Sequence, residues 1–238
     1  TMKYVGGKHK IARDLIRVMN TFKERDEIWV EPFCGGCNVT QWFSGSPVIA
    51  SDINRYIIEL WLAIQRGWEP PRYVSREDYH LIKAYPLRYD PWLVGYVGIA
   101  ISFMGKWFGG YSGIIPGHNY TLESYYTMTK ECAPLIRAQK IEFVHSDYRQ
   151  LDVPLNGLVY CDPPYEGTQG YDYMKKRFDY VEFWDWVRQI DKTNLVFVSE
   201  LEAPPDFVSI WKKPTLGTLG QGTKLKIEQL FVHESNVK

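Results

Sequence analysis

The chain has 238 residues, with 28 Lys plus Arg balancing 28 Asp plus Glu and 45% hydrophobic residues. This is the composition of an ordinary globular chain, long enough for one large domain or for one domain carrying an inserted lobe. The absence of any apolar run of about 18 residues excludes a membrane-spanning helix, and the even charge speaks against a non-specific nucleic-acid binder, which carries a basic excess.

The N-terminal stretch TMKYVGGKHKIARD has no apolar core of the kind a signal peptide needs, so a cytoplasmic location is expected. Residues 28–31, IWVE, read as a short strand ending in an acid. The glycines of CGGC follow, and residues 38–44 can begin a helix. Residues 48–52, VIASD, form a second short strand that again ends in an acid. Asn54 then caps a helix over residues 55–66, where Ile57, Ile58, Trp61 and Leu62 keep helical spacing. Strand, glycine turn, helix, strand and acid make the opening half of a doubly wound α/β sheet.

From residue 67 to 140 the periodicity loosens at Pro70-Pro71, Pro86, Pro91 and the glycines of GKWFGGYSGIIPG. This segment reads as an inserted lobe of helices and loops. Between Leu62 and Lys140 nine Lys and Arg stand against six Asp and Glu, a local net charge of +3. The sheet resumes with strands at residues 141–144 and 158–161, a helix at 181–190 and a strand at 195–199. A C-terminal hairpin pairs residues 207–211 with 227–233. The division is therefore 1–66 with 141–238 as one domain and 67–140 as its insertion.

Cys34-Gly-Gly-Cys37 poses a question of chemistry. A structural zinc site needs four Cys or His ligands, and Cys132 and Cys161 stand alone with no His close after Cys37. A redox pair would open a helix after a strand, but Glu-Pro-Phe before it and glycines within it point elsewhere. Two buried thiols beside a glycine turn is the reading preferred, with no metal site.

The second motif is Cys161-Asp162-Pro163-Pro164-Tyr165. An Asp at the carboxyl end of a strand faces the ligand crevice of an open α/β sheet. Two prolines fix the backbone and remove two N–H donors, so the carbonyls there look outward. A carboxylate, a carbonyl and an aromatic face suit a planar amine such as adenine N6. Asp52, 21 residues after Glu31, stands where such folds hold ribose hydroxyls. With no G-x-G-x-x-G to serve a pyrophosphate, a nucleoside with an amino-acid tail, S-adenosylmethionine, fits better.

Taken in order, KYVGGKHKIA (residues 3–12), EPFCGG (31–36), SDIN (51–54) and CDPPY (161–165) resemble the motifs of Dam-type N6-adenine DNA methyltransferases of the α arrangement, and GKWFGGY (105–111) and VFVSEL are similar to phage and bacterial members. The resemblance implies a Rossmann-like α/β methyltransferase sheet with a C-terminal β-hairpin and a mostly helical target-recognition lobe at 67–140. It further implies S-adenosylmethionine as cofactor, with Tyr4, Gly6 and Lys8 closing over its methionine end and Phe33 and Gly35 in the turn beneath. Asp52 would hold the ribose, and Asp147 and Tyr148 the adenine. Asp162, which also contacts the cofactor, Pro163 and Tyr165 would be catalytic. The chain departs from the family pattern at Cys37-Asn38, where members often carry Gly or Ser, and at Leu201.

The implied substrate is double-stranded DNA, with the target adenine flipped out of the stack. Arg88, Lys106, His118, Asn119 and Arg137 in the insertion, and Lys175, Lys176 and Arg177 after the motif, are the candidate DNA contacts. A monomer is expected, with a dimer as the alternative. The competing readings are an RNA adenine or protein-glutamine methyltransferase on the same fold, or a non-catalytic DNA-binding relative.

Overall fold

A computed structural model describes residues 2–23, 27–165, 178–218 and 223–237. Its centre is a seven-stranded sheet. In chain order the elements are α1 (Ala12–Asn20), β1 (Trp29–Glu31), β2 (Val48–Asp52), α2 (Arg55–Gln65), α3 (Arg76–Ala84) and α4 (Pro91–Ile99). A two-stranded ribbon follows, β3 (Ile114–Ile115) with β4 (His118–Asn119), then α5 (Tyr120–Tyr126) and α6 (Ala133–Arg137). The chain returns to the sheet with β5 (Ile141–His145), β6 (Leu158–Cys161), α7 (Tyr180–Asp191), β7 (Leu195–Glu200), β8 (Phe207–Thr218) and β9 (Thr223–His233).

The sheet order is β5-β2-β1-β6-β7-β9-β8. Five strands are parallel, with β1 pairing β2 and β6 through registers such as Val30↔Ile49 and Val30↔Val159. The last two form an antiparallel hairpin added at β7. This is the Rossmann-like α/β sheet with C-terminal hairpin expected from the sequence. The direction of strand addition reverses at β1, so the crevice for a ligand lies at the carboxyl ends of β1 and its neighbours.

Strands buried on both faces need apolar residues throughout, and β1 and β6 are buried at every position. Alternate residues serve different layers. Trp29, Leu158, Tyr160 and Phe197 pack with α1, α2 and α4 on one face. Val30, Val159, Val196 and Val198 pack with Phe183 and Val187 of α7 on the other. Fully burying each such side chain is worth roughly 1.5–3 kcal/mol.

Four elements differ from the sequence expectation. Residues 38–44 yield only a 3-10 turn at Thr40–Trp42, because Cys37 takes φ 51° and Phe43 is already extended. Helix α1 has no counterpart in the sequence reading, and both hairpin strands run beyond the residues assigned to them. Within residues 67–140, α4 shares the core with α2. It is apolar all round, as a helix enclosed on every side must be. Its Gly95 permits the approach: a Cβ there would lie 2.1 Å from the Tyr56 carbonyl oxygen of α2.

Candidate active site

The carboxyl ends of β1, β2, β5 and β6 open onto a cavity of about 700 Å³. Glu31 ends β1 and Asp52 ends β2; Asp147 follows β5 and Asp162 follows β6. All four carboxyl groups line the cavity. So do Tyr4, Gly6, Lys8, Phe33, Gly35 and Tyr148. Every residue assigned from sequence to the cofactor thus borders one space.

Asp52 is buried, and its two oxygens accept from the Gly35 N–H at 2.9 Å and the Asn54 N–H at 2.8 Å. Burial pushes its carboxyl up to about 6, against the pull of those two N–H groups. Asn54 caps α2 by accepting from the Tyr56 N–H at 3.1 Å, as its sequence position predicts. Glu31 is also buried and takes the Thr40 hydroxyl as donor, and burial holds its carboxyl well above the ordinary range.

The glycine turn serves Tyr4. Gly35 has φ +41°, and a Cβ there would lie 2.7 Å from the Tyr4 ring; one on Gly36 would lie 2.8 Å from the Tyr4 Cβ. The ring of Tyr4 therefore rests on the turn of EPFCGG. The N-terminal segment is tied down a second time, by the Val5 N–H donating to the Gly105 carbonyl in GKWFGGY. Cys34 and Cys37 are buried free thiols, and burial raises both. Among the described residues no group of three or more His, Cys, Asp or Glu is placed to hold a metal ion.

Asp162 pairs with Lys8, Nζ to Oδ1 at 2.6 Å. Lys8 also donates to the Gly6 carbonyl at 3.0 Å. Burial raises the Asp162 carboxyl, and the Lys8 ammonium opposes that rise. Pro163 is buried. The Pro164 carbonyl accepts the Tyr180 hydroxyl at 2.8 Å, which pins the Asp-Pro-Pro-Tyr loop to the start of α7. Tyr165 is buried, with Lys8 Nζ 4.5 Å and Lys226 Nζ 5.0 Å from its ring centre. Its hydroxyl donates to Glu228. Burial pushes the Glu228 carboxyl up, but Lys8, Lys226 and the Tyr165 hydroxyl outweigh this and hold it below its ordinary value.

Glu228 and Lys226 were not found from the sequence. The signal was present: along KLKIEQLFVH, Lys226 and Glu228 fall in phase with Leu230 and Val232, which are wholly buried. A lysine and a glutamate on the inward face of a strand need each other or a partner in the site. Arg149 was missed too. It grips Asp147 through Nε at 2.8 Å and Nη2 at 2.5 Å, and reaches Glu182 at 2.9 Å. The Arg149 guanidinium holds the Asp147 carboxyl below its ordinary value. Phe33, Tyr148 and Phe178 form an aromatic group beside it, with ring centres 5.3 and 6.0 Å from Phe33.

None of Arg88, Lys106, His118, Asn119 and Arg137 lines the cavity. Asn119 caps α5, accepting from the Leu122 N–H at 3.1 Å. Arg137 donates from Nε to the Ile64 carbonyl at 2.7 Å, near the end of α2. His118 meets Glu123 at 3.2 Å and stacks on Tyr120. Arg88 and Lys106 are exposed. Lys175, Lys176 and Arg177 lie outside the described residues.

Residues 4–85 match the family of D12 class N6 adenine-specific DNA methyltransferases. The chain is 27% identical over 199 residues to the type II methyltransferase M.FokI of Planomicrobium okeanokoites, a match covering 71% of this chain and 29% of the relative. It therefore spans less than a third of that relative's length. Among solved structures it is similar to precorrin 8W decarboxylase of Methanobacterium thermoautotrophicum, at 10% identity and TM-score 0.39 over 94% of this chain and 89% of the other. A conserved hypothetical protein of Streptococcus pyogenes matches at 10% identity and TM-score 0.37, over 93% and 96%.

Proposed function

We propose that this chain is an S-adenosylmethionine-dependent DNA methyltransferase acting on adenine N6. The observation that carries the reading is the convergence of Asp52, Asp147 and Asp162, from three parallel strands, on one cavity with Lys8. The family match at residues 4–85 and the likeness to M.FokI support the same class of reaction.

The residues present suit the cofactor. A buried carboxyl at Asp52 accepts hydroxyl donors, as a ribose offers. The aromatic group of Phe33, Tyr148 and Phe178 offers faces for a purine, and Asp147 an acceptor for its amine. When bound, S-adenosylmethionine supplies a methyl group already activated by its sulfonium.

The chain's own contribution is to the acceptor amine. Adenine N6 is a weak nucleophile because its lone pair is delocalised into the ring. Asp162 and the Pro163 carbonyl accept the two N6 hydrogens, and the carboxylate offsets the positive charge that develops on nitrogen. Lys8 favours the ionised form of Asp162 against a burial that favours its acid form. Tyr165 offers the flipped base an aromatic face, which requires Lys8 or Lys226 to give up one side of the ring. Residues 67–140 carry target recognition, with exposed Arg88 and Lys106 for phosphate. Asn119 and Arg137 are engaged in holding helices, which leaves them less to offer a base.

The test is transfer of labelled methyl from S-adenosylmethionine to unmethylated duplex DNA, beside Asp162→Ala and an RNA substrate. Label recovered as N6-methyladenine in DNA and lost in the variant is the expected result. Label in RNA alone, or bound cofactor with no transfer, would overturn the assignment to DNA.

A further inference from the structure

Asn38 is 5% exposed, lines the cavity, and has neither its Nδ2 nor its Oδ1 hydrogen-bonded to any described residue. A buried amide left without partners destabilises a fold, so such groups are rare unless a ligand completes them. Because both atoms are unpartnered, the conclusion does not depend on which way the amide is turned.

Its placement is not incidental packing on an apolar face. Cys37, in the left-handed region at φ 51°, turns the chain so that Asn38 lies across two glycine backbones. A Cβ on Gly7 would sit 2.3 Å from Asn38 Nδ2, and one on Gly36 3.2 Å from it. Gly7 belongs to the N-terminal motif and Gly36 to the turn after β1. Asn38 therefore stands at the seam between these two segments, while the aromatic group and Asp147 stand together at the end of β5.

Resting on the cofactor reading above, we infer that the Asn38 carboxamide binds the amino-acid end of S-adenosylmethionine. An α-amino acid carries a carboxylate that accepts and an ammonium that donates. A carboxamide is a side chain that can do the opposite of each at once, Nδ2 donating to the carboxylate and Oδ1 accepting from the ammonium. The neighbouring charges on this side are already joined, since Lys8 pairs with Asp162.

The experiment is calorimetric titration of the wild type, Asn38→Ala and Asn38→Ser with S-adenosylmethionine and with 5′-methylthioadenosine, which lacks the amino-acid end, alongside melting curves without ligand. Asn38→Ala is expected to weaken S-adenosylmethionine about tenfold, the worth of one or two such bonds. Methylthioadenosine should change less than about twofold, and the unliganded melting temperature should not fall. Asn38→Ser should lie between wild type and Ala for S-adenosylmethionine only. Equal weakening of both ligands, or a lower melting temperature in both variants, would make Asn38 a structural residue and overturn the assignment. Unchanged affinity for S-adenosylmethionine would overturn it as well. A wild type that binds neither ligand would instead sink the reading of the cavity itself, and this contact with it.

Discussion

Lys8 Nζ lies 2.6 Å from Asp162 Oδ1, across 154 positions of sequence. The pair joins the N-terminal segment to the Asp-Pro-Pro-Tyr loop, and its ammonium opposes the burial that raises the Asp162 carboxyl. Removing one partner of a buried pair leaves the other charge uncompensated. Lys8→Met should therefore let the Asp162 carboxyl rise further and favour its acid form, which accepts from N6 more weakly and turns an O–H donor toward the site. A fall in turnover of about 10²–10³-fold is expected, with the acidic limb of the pH–rate profile moved to higher pH. Lys8→Arg should restore the limb toward its original position. An unshifted profile in Lys8→Met would show that Asp162 does not depend on this ammonium.

The Tyr165 hydroxyl and Lys226 meet on Glu228, so one carboxylate satisfies both a buried hydroxyl and an ammonium. Glu228→Gln should lower stability by about 1–3 kcal/mol, since it leaves Lys226 and Tyr165 partly unmatched. Tyr165→Phe removes the donor from the other side. If the two residues act through their mutual bond, the double variant should lose less than the sum, with a coupling of about 0.5–3 kcal/mol by denaturant unfolding. Simple additivity would place the importance of Glu228 elsewhere.

The parts of the site that could be read from sequence are those attached to strand ends. Asp52 and Asp162 each close a short apolar run, and the doubly wound pattern then puts both at one crevice. Asn54 was legible as a cap because capping is local chemistry. Glu228, Arg149 and Phe178 were not, because one partner that ties each to the site comes from another element: Tyr165 for Glu228, Glu182 for Arg149, Phe33 for Phe178. Only the inward phase of Glu228 along β9 hinted at it. The turn after β1 shows the same limit. Its glycines were legible as a tight turn, but the ring of Tyr4 that occupies them lies some thirty residues earlier. Likewise the helix expected at residues 38–44 was cut short by the left-handed backbone of Cys37, a conformation side-chain type does not announce.

With Asp52 as the proposed ribose ligand, its carboxyl, pushed up to about 6 by burial, should make cofactor binding depend on pH. Ribose hydroxyls donate to the ionised form, so the protein must release a proton to bind below that value. Affinity for S-adenosylmethionine should fall roughly tenfold between pH 7.5 and 5. Asp52→Asn should bind weakly with a flat profile. The stability term has the opposite sense. The folded state holds this proton more tightly than the unfolded chain does, so the Asp52 contribution declines as pH rises from 3.8 to about 6. Calorimetry at several pH values tests both, and an affinity constant across the range would remove Asp52 from the ribose site.

The close approach of α4 to α2 links the core to the cavity, because α2 begins three residues after Asp52. A Cβ at Gly95 would meet the Tyr56 carbonyl at 2.1 Å, on the first turn of α2, and backbone cannot yield as a side-chain tip can. Gly95→Ala should cost about 1–3 kcal/mol or more through overpacking, and should weaken S-adenosylmethionine by displacing the Asn54 cap that shares Asp52 as acceptor. Gly67→Ala gives the contrast. Gly67 has φ +101° but open space around it, so its cost comes from the backbone conformation, about 1–2 kcal/mol, with no reason to disturb the cofactor. Melting curves and cofactor titrations on the two variants separate the effects. Loss of affinity in Gly67→Ala equal to that in Gly95→Ala would mean that general destabilisation, not the seating of α4 on α2, governs the site.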